Sequence, residues 1–367
     1  MPGPGRTSPR QGIAHLAGRA AAGVVEVVDL RRAPERLAEP GPWFVVVDFD
    51  AAARGGRARA WRFAERLDPG DLSAAGPASG RAWRGPSADA WTSSMDRARY
   101  EAAVAHVRAQ VREGEVYQAN VCRVLSAPLA DAGGEPDALA LARRLARGNP
   151  APYGGVLHVP RASGVDPVWV VSASPELYLR VSGGTVTSGP IKGTAATPDG
   201  LTAKDRAENV MITDLVRNDL QRVCEPGTVE VTDLLAVEQH PGLVHLVSTV
   251  AGRVRPDLHD PAALWPALLD ATFPPASVSG APKSSALRII DALEPEPRGP
   301  YCGAVGWVDG DEAVLAVGIR TFWWSDGVLR FGTGAGITWG SDPAREWEET
   351  ELKARRLVGL ASGTLEP

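Results

Sequence analysis

The sequence predicts an α+β chain, and two observations carry that expectation. Short valine-rich runs divided by turn residues recur between Gly154 and Ser188 and again between Gly303 and Phe331, the pattern of sheet strands. Longer segments, Met95 to Glu113, Leu201 to Val223 and the stretch opened by Asp342-Pro343, instead space their apolar residues helically or begin on a helix cap. At 367 residues the chain is long enough for one large domain or two, with a buried site.

Composition narrows the function. The 39 Lys+Arg against 44 Asp+Glu give a formal net charge of −5, which offers no basic field to nucleic acid or to an anionic membrane. Cys122, Cys224 and Cys302 are odd in number and far apart in sequence, so neither a disulfide framework nor a zinc site is expected, and a reduced, cytoplasmic setting is. Met1 to Arg10 is polar and proline-rich, and the first apolar run, Ala20 to Val28, is broken by Glu26. Neither a signal peptide nor a membrane span is expected.

In chain order, Trp43 to Val47 reads as a strand, and Ala51 to Pro86, rich in Gly, Ala, Arg and Ser, reads as loops and edge strands. Tyr100, Val104, Val107 and Val111 predict a helix from Met95 to Glu113 that ends at Gly114. A strand is expected from Glu115 to Leu125, with Gln118, Asn120 and Cys122 on one face, a polar set whose plain alternative is half exposure. Asp137 to Arg147 is helical. Several short strands follow, and Glu176 stands after Ser174-Pro175 at the head of the strand Leu177 to Val181. The helix Leu201 to Val223 carries Ala207, Val210, Met211, Leu215 and Leu220 as apolar positions, with Asp205 and Glu208 three residues apart elsewhere on it. Val229 to Arg253 is strand-like and contains His240 and His245. Phe273 to Lys283 is a loop that enters a helix at Pro282, with Ala286, Ile289, Ile290 and Leu293 toward the core. Strands at Gly303 to Val308, Ala313 to Trp323 and Val328 to Phe331 lead to Gly332-Thr333-Gly334-Ala335-Gly336. That run reads as a glycine turn whose bare N–H groups suit an anion. Asp342 caps a last helix with proline at its first position, and Glu346, Glu349 and Lys353 share one of its faces.

Ser188-Gly189-Pro190-Ile191-Lys192-Gly193-Thr194 holds the candidate for the chemistry. Its lysine lies between a proline that stiffens the backbone and a glycine that admits a close ligand. A partly desolvated lysine loses its proton near neutral pH and becomes a nucleophile, although a local reading alone leaves a solvated turn ahead. Glu176 would assist by giving a proton to a departing hydroxyl. If the helices bearing Asp205/Glu208 and Glu346/Glu349 meet, their carboxylates form a cradle for a hard cation such as Mg²⁺; a single acidic pair is more often a solvated face. His245, among Val244, Leu246 and Val247, is either catalytic or a satisfied core histidine.

Together these motifs resemble one family, the chorismate-utilising enzymes. The matched blocks run in order from about Gly114 to Leu357: Tyr117-Gln118, Ser174-Pro175-Glu176, Pro190 to Thr194, Asp214 to Leu220, His245 to Ser248, Ser279 to Lys283, Ile319 to Thr321, Gly334 to Gly336 and Glu349-Thr350. The resemblance implies a large antiparallel β-sandwich with helices outside, in which residues 1–95 complete the body of a catalytic domain spanning 96–362. Within the family, Lys192 with Gln118 is similar to the branch that uses ammonia to make 4-amino-4-deoxychorismate, for para-aminobenzoate and folate or a specialised pathway. The anthranilate branch usually carries alanine at the first position, and the water-using branches usually carry lysine at the second. Val237 to Pro241 also resembles the first branch, and a leucine-rich tryptophan-feedback motif is not evident.

By that resemblance Lys192 attacks ring carbon C2 while Glu176 protonates the leaving C4 hydroxyl, and His245 and Ser277 lie near the substrate. Mg²⁺ would be held by Glu208 and Glu349 with Asp205 and Glu346 behind them, Asp205 being shorter than the usual glutamate. Tyr301 and Arg320 would hold the enolpyruvyl carboxylate, with Gln118, Lys353, Gly334 and Gly336 completing the substrate site. No cysteine lies in a Gly-x-Cys-x-Gly turn, so the ammonia is expected from a partner glutamine amidotransferase subunit. The alternatives are amination at C2, giving anthranilate or 2-amino-2-deoxyisochorismate, and a catalytically silent chorismate-binding subunit.

Overall fold

The computed structural model describes residues 11–52, 55–68, 82–130, 134–195, 197–240 and 243–367. Met1 to Arg10, residues 69–81 within the arginine-rich stretch, and Pro241 lie outside them. Strands β1 (Ile13–Leu16), β2 (Arg19–Asp29), β3 (Trp43–Val47), β4 (Ala58–Leu67) and β5 (Thr92–Ser93) precede helix α1 (Arg97–Glu113). Next come β6 (Gln118–Pro128), α2 (Ala138–Gly148), β7 (Gly155–Val159), β8 (Val168–Ser172), β9 (Leu177–Ser182), β10 (Thr185–Gly189) and β11 (Ile191–Ala195). Helix α3 (Ala203–Gln221), the hairpin β12 (Glu230–His240) and β13 (Leu243–Arg253), α4 (Pro261–Thr272), β14 (Gly280–Ala281) and α5 (Lys283–Leu293) follow. The chain then runs through β15 (Ala304–Asp309), β16 (Glu312–Val317), β17 (Thr321–Ser325), β18 (Val328–Ile337) and α6 (Pro343–Ser362).

The expected Asp342 cap and Gly114 helix end are in place, and two further aspartates cap helices. Asp96, Asp137 and Asp342 accept backbone N–H groups at the starts of α1, α2 and α6, while Gly114 ends α1 at φ +84°.

All strand pairs are antiparallel, and they form one continuous ladder. From one end it runs β6, β18, β17, β8, β7, β1, β2, β4, β3, β15, β16, β9, β10, β13, with β5 and β14 flanking β6 and with β11 and β12 flanking β13. The sheet folds back until its two ends face each other. A Cβ built on Gly336 of β18 would lie 3.4 Å from Lys192 Nζ, which belongs to β11 at the opposite end. This is the expected large antiparallel sheet with helices, and the meeting of its ends sets the position of the site.

Three expectations need correction. The arginine-rich stretch contains β4, an interior strand paired with both β2 and β3, with Ala60 and Trp61 fully buried. Its arginines concealed it, because Arg59 and Arg62 lie over the Trp61 and Trp43 rings and cover apolar surface with their stems. On α3 the buried face is Asn209, Ile212, Thr213, Val216 and Leu220, while Val210 is exposed. Asn209 and Thr213 belong inside because Asn209 donates to Leu246 O and Thr213 Oγ1 to Asn209 O, so buried polar groups stand where apolar periodicity was sought. The run read as Ala313 to Trp323 is two strands, parted where Arg320 takes φ +53°. The cysteines are free, as expected, and Cys122 and Cys302, distant in sequence, are buried neighbours.

A buried ion pair ties these layers together. Arg298, 1% exposed, donates to both carboxylate oxygens of Glu294 at 2.7 and 2.8 Å, to Val278 O at 3.0 Å and to Asn120 O at 2.7 Å, and lies 4.0 Å from the Phe49 ring centre. Glu294 in turn accepts the Cys122 amide at 2.9 Å. Arg298→Met strands that carboxylate, so unfolding free energy is expected to fall by about 3–5 kcal/mol in urea titrations. A loss of about 1 kcal/mol or less, typical of an exposed pair, would remove the pair from this role.

Candidate active site

Lys192 sits on a bulge. β11 pairs with β13 at Ile191↔Val247 and Thr194↔His245, and the register slips between those points, where Lys192 and Gly193 stand. Gly193 has φ +90°, and a Cβ there would come within 2.8 Å of Asp205 Cβ on α3, so glycine is needed for both backbone and space. The expected turn is therefore an interrupted strand, anchored on both sides, and bulges of this kind re-aim a side chain. Burial pushes the Lys192 amine below the ordinary lysine range, assisted by the charge on Lys353 and opposed by Glu208, Glu176 and Glu349.

Glu176 is 3% exposed. Its backbone is pinned to β16, since Val317 N donates to Glu176 O at 3.0 Å and Ser174 Oγ donates to Val317 O at 2.6 Å. Burial raises its carboxyl above the usual range, against a hydrogen bond from Ser277, the charge on Lys192, the Ile191 amide and Arg320. A carboxyl held up in this way keeps its proton toward neutral pH, as an acid catalyst must.

Arg320 and His245 are neighbours: an Arg320 terminal nitrogen lies 3.4 Å from His245 Nε2, and His245 Nδ1 is 2.8 Å from Thr194 Oγ1. Arginine only donates, so in this contact Nε2 is the acceptor and Nδ1 faces the Thr194 hydroxyl. Thus His245, 1% exposed, is partnered on both nitrogens and braces Arg320, which the φ +53° backbone turns toward Glu176.

The glycine run is strand rather than turn. Gly334 and Gly336 lie opposite Cys122 and Asn120 in the β18–β6 ladder. The amides of Asn120, Cys122 and Val124 donate elsewhere, to Ser279 O, Glu294 Oε1 and Ser94 Oγ. Their partners Gly336, Gly334 and Gly332 therefore occupy non-hydrogen-bonded positions, and their N–H groups point away from β6. Bare donors are present as the sequence suggested, but on an extended edge. Here glycine provides closeness: a Cβ would stand 2.0 Å from the Tyr301 ring at Gly332, 2.6 Å from Cys122 Sγ at Gly334 and 2.4 Å from Gln118 Nε2 at Gly336. Tyr301 is buried, and burial raises its hydroxyl well above the ordinary range, so it stays neutral. Lys353 Nζ donates to Gly334 O at 3.0 Å and pairs with Glu349 at 2.6 Å, with both side chains about half exposed at the mouth.

The two acidic helices meet through a residue that sequence reasoning missed. Lys204, one turn before Glu208 on α3, lies 3.5 Å from Glu208 and 3.3 Å from Glu346 of α6. Its only sequence signal is the i,i+4 spacing to Glu208. Asp205 is engaged otherwise, because its Oδ2 accepts from the Thr202 amide and hydroxyl and caps α3. Among the described residues no three acidic, histidine or cysteine side chains converge on a metal position. Mg²⁺ needs only one or two carboxylates beside water and substrate oxygens; among the described residues Glu208 Oε1 is buried without a hydrogen bond, its nearest cation being Lys204 at 3.5 Å, so the donor set fits that ion.

Of the eight buried side-chain nitrogen and oxygen atoms without a hydrogen bond among the described residues, four belong to Gln118, Glu176 and Glu208. Such atoms are costly to bury, and their concentration around Lys192 marks a pocket built to be completed by a polar ligand.

The family model described as chorismate binding enzyme matches residues 58–359. Anthranilate synthase component 1 of Streptomyces coelicolor is 39% identical over 281 residues, 73% of this chain and 52% of that protein. Aminodeoxychorismate synthase component 1 of Klebsiella aerogenes is 37% identical over 284 residues, 73% of this chain and 59% of that protein. The chain thus spans between half and three fifths of the length of these two relatives. The crystal structure of anthranilate synthase component I from Streptococcus pneumoniae superposes with a TM-score of 0.75 at 25% identity, covering 96% of this chain and 91% of that one. The chain belongs to the chorismate-binding enzyme family.

Proposed function

We propose that this chain is an aminodeoxychorismate synthase component, which replaces the C4 hydroxyl of chorismate by an amine. The observation that carries the reading is Lys192 itself, an amine depressed by burial on a bulge beside a carboxyl that burial raises. Family membership supports chorismate as substrate, and the relatives' names divide between the aminodeoxychorismate and anthranilate reactions.

In this mechanism neutral Lys192 bonds to C2 while the C4–O bond breaks, and Glu176 gives its proton so that water departs. Ammonia then bonds to C4, and Lys192 leaves as a neutral amine. Dividing one allylic substitution into two is the purpose of the covalent step. Arg320, braced by His245, and neutral Tyr301 bind the enolpyruvyl carboxylate, while the Gly334 and Gly336 amides, Gln118 and Lys353 hold the rest of the substrate. Glu208 and Glu349, with Glu346 behind them, would hold Mg²⁺, which supplies positive charge for the ring carboxylate; Asp205 is left to the cap of α3. Lys204, already between Glu208 and Glu346, shares that load. All three cysteines are buried and so offer no exposed glutaminase nucleophile, which supports a glutamine amidotransferase partner as the ammonia source.

With chorismate, Mg²⁺ and ammonium, 4-amino-4-deoxychorismate is the expected product by mass spectrometry. Lys192→Ala is expected to lower its formation on the order of a thousandfold or more. Anthranilate would transfer the chain to C2 amination, and binding without turnover would make it a silent subunit. The pH profile gives a second check. The active form needs Glu176 protonated and Lys192 neutral, so wild-type kcat/KM should be bell-shaped, falling at high pH as Glu176 gives up its proton. Glu176→Gln removes that requirement, and its residual rate should rise with pH through the depressed Lys192 pKa and then level; an alkaline fall persisting in this variant would remove Glu176 as the acid.

A further inference from the structure

Behind Glu176, within the layer formed by α3, the end of α4 and strands β9 and β10, lies a cavity of about 20 Å³. It is enough for one water molecule, which needs roughly 10–15 Å³. Its polar lining comprises Glu176, Tyr178, Ser188, Asp219, Thr272 and Ser277. Glu176 Oε1 is buried without a hydrogen-bond partner among the described residues. Thr272 Oγ1 donates to Leu268 O at 2.8 Å, so the Tyr178 hydroxyl, 2.5 Å away, donates to it and keeps its own oxygen as an acceptor. Asp219 accepts from Lys283 Nζ at 2.8 Å, and their side chains are 15% and 25% exposed. The cavity therefore has the candidate acid on one wall and, on another, a carboxylate that reaches solvent.

The amination proposed above creates a need for such a route. Glu176 gives one proton to the departing hydroxyl, ammonia arrives carrying none to spare, and the product amine leaves as an ammonium at neutral pH. Each turnover so consumes one proton from solvent, and Glu176 ends as a carboxylate. On its other side Glu176 faces the charges of Lys192 and Arg320, where the amination reading places the substrate.

We propose that one ordered water in this cavity links Glu176 to Asp219, and that the acid recovers its proton from the side away from the substrate, through Asp219 and the surface at Lys283. Asp219 acts through Glu176 and touches no substrate. The groups that face this relay are Lys192 and Arg320 at Glu176, and Lys283, Arg222 and Tyr178 at Asp219. This inference rests on the amination reading.

Two variants test it with ammonium as nitrogen donor. Asp219→Asn removes the titrating carboxyl, and Val216→Ile adds a methyl group to the cavity wall without altering charge. Both are expected to lower kcat about tenfold, a fraction of what proton transfer contributes, with the KM for chorismate unchanged and the solvent deuterium isotope effect on kcat enlarged. A crystal structure of the wild type resolving its waters should show density in the cavity. An empty cavity, or variants that keep wild-type kcat and isotope effect, would overturn the relay while amination stands. Variants that lose stability and KM with no change in isotope effect would also overturn it, as a structural role. Wild-type protein that leaves chorismate unaminated defeats the amination reading, and the relay with it.

Discussion

The Arg298–Glu294 pair is the constraint on which the rest depends. A guanidinium taken out of water needs hydrogen-bond partners, and here four bonds and a ring contact come from four parts of the chain: Glu294 at the end of α5, β6, the Ala276–Val278 turn and the Phe49 ring. Two of these lead directly to chemistry. The turn presents Ser277 to Glu176, and β6 presents Gln118 two residues before the carbonyl that Arg298 binds. A cost borne in the core thus fixes the distances around Lys192.

Around Lys192 the charges form a balanced set. Glu176, Glu208, Glu346 and Glu349 would repel one another if gathered without compensation, and Lys192, Lys204, Lys353 and Arg320 are interleaved with them. Burial dominates for Lys192, Glu176 and Glu208, each shifted toward its neutral form. Pairing prevails at the exposed rim: Lys353 holds Glu349 below the usual carboxylate range, and the neighbouring carboxylates hold Lys353 and Lys204 above the ordinary lysine range against the pull of burial. The innermost groups are thus shifted toward neutrality, while the outer ones stay charged.

Much of this was legible in the sequence because it is local. The Asp342-Pro343 cap declares α6, the spacing of Tyr100, Val104, Val107 and Val111 declares α1, and valine runs with turn residues mark β7 to β10. The placement of Glu176 close to Lys192 also follows from short sequence separation across β9, β10 and β11. What escaped depended on distant partners. Arg59 and Arg62 disguise β4 until the tryptophans they cover are known, and Asn209 looks misplaced until Leu246 O is beside it. Lys204 reads as an ordinary surface lysine until α6 arrives with Glu346. The Gly332 to Gly336 run is compatible with turn and strand alike, and only its pairing with β6 decides.

The return of the sheet upon itself bears on how the enzyme acquires its function. Gln118, Lys192 and Gly336 come from the two ends of a fourteen-strand path, and neither end can bring them together without the strands between. Contacts of such long sequence separation are made slowly and late, after the entropy of closing the intervening loops has been met. Partly folded chains therefore lack the assembled pocket, and Lys192 meets Gln118 and Gly336 only once the protein around them is complete.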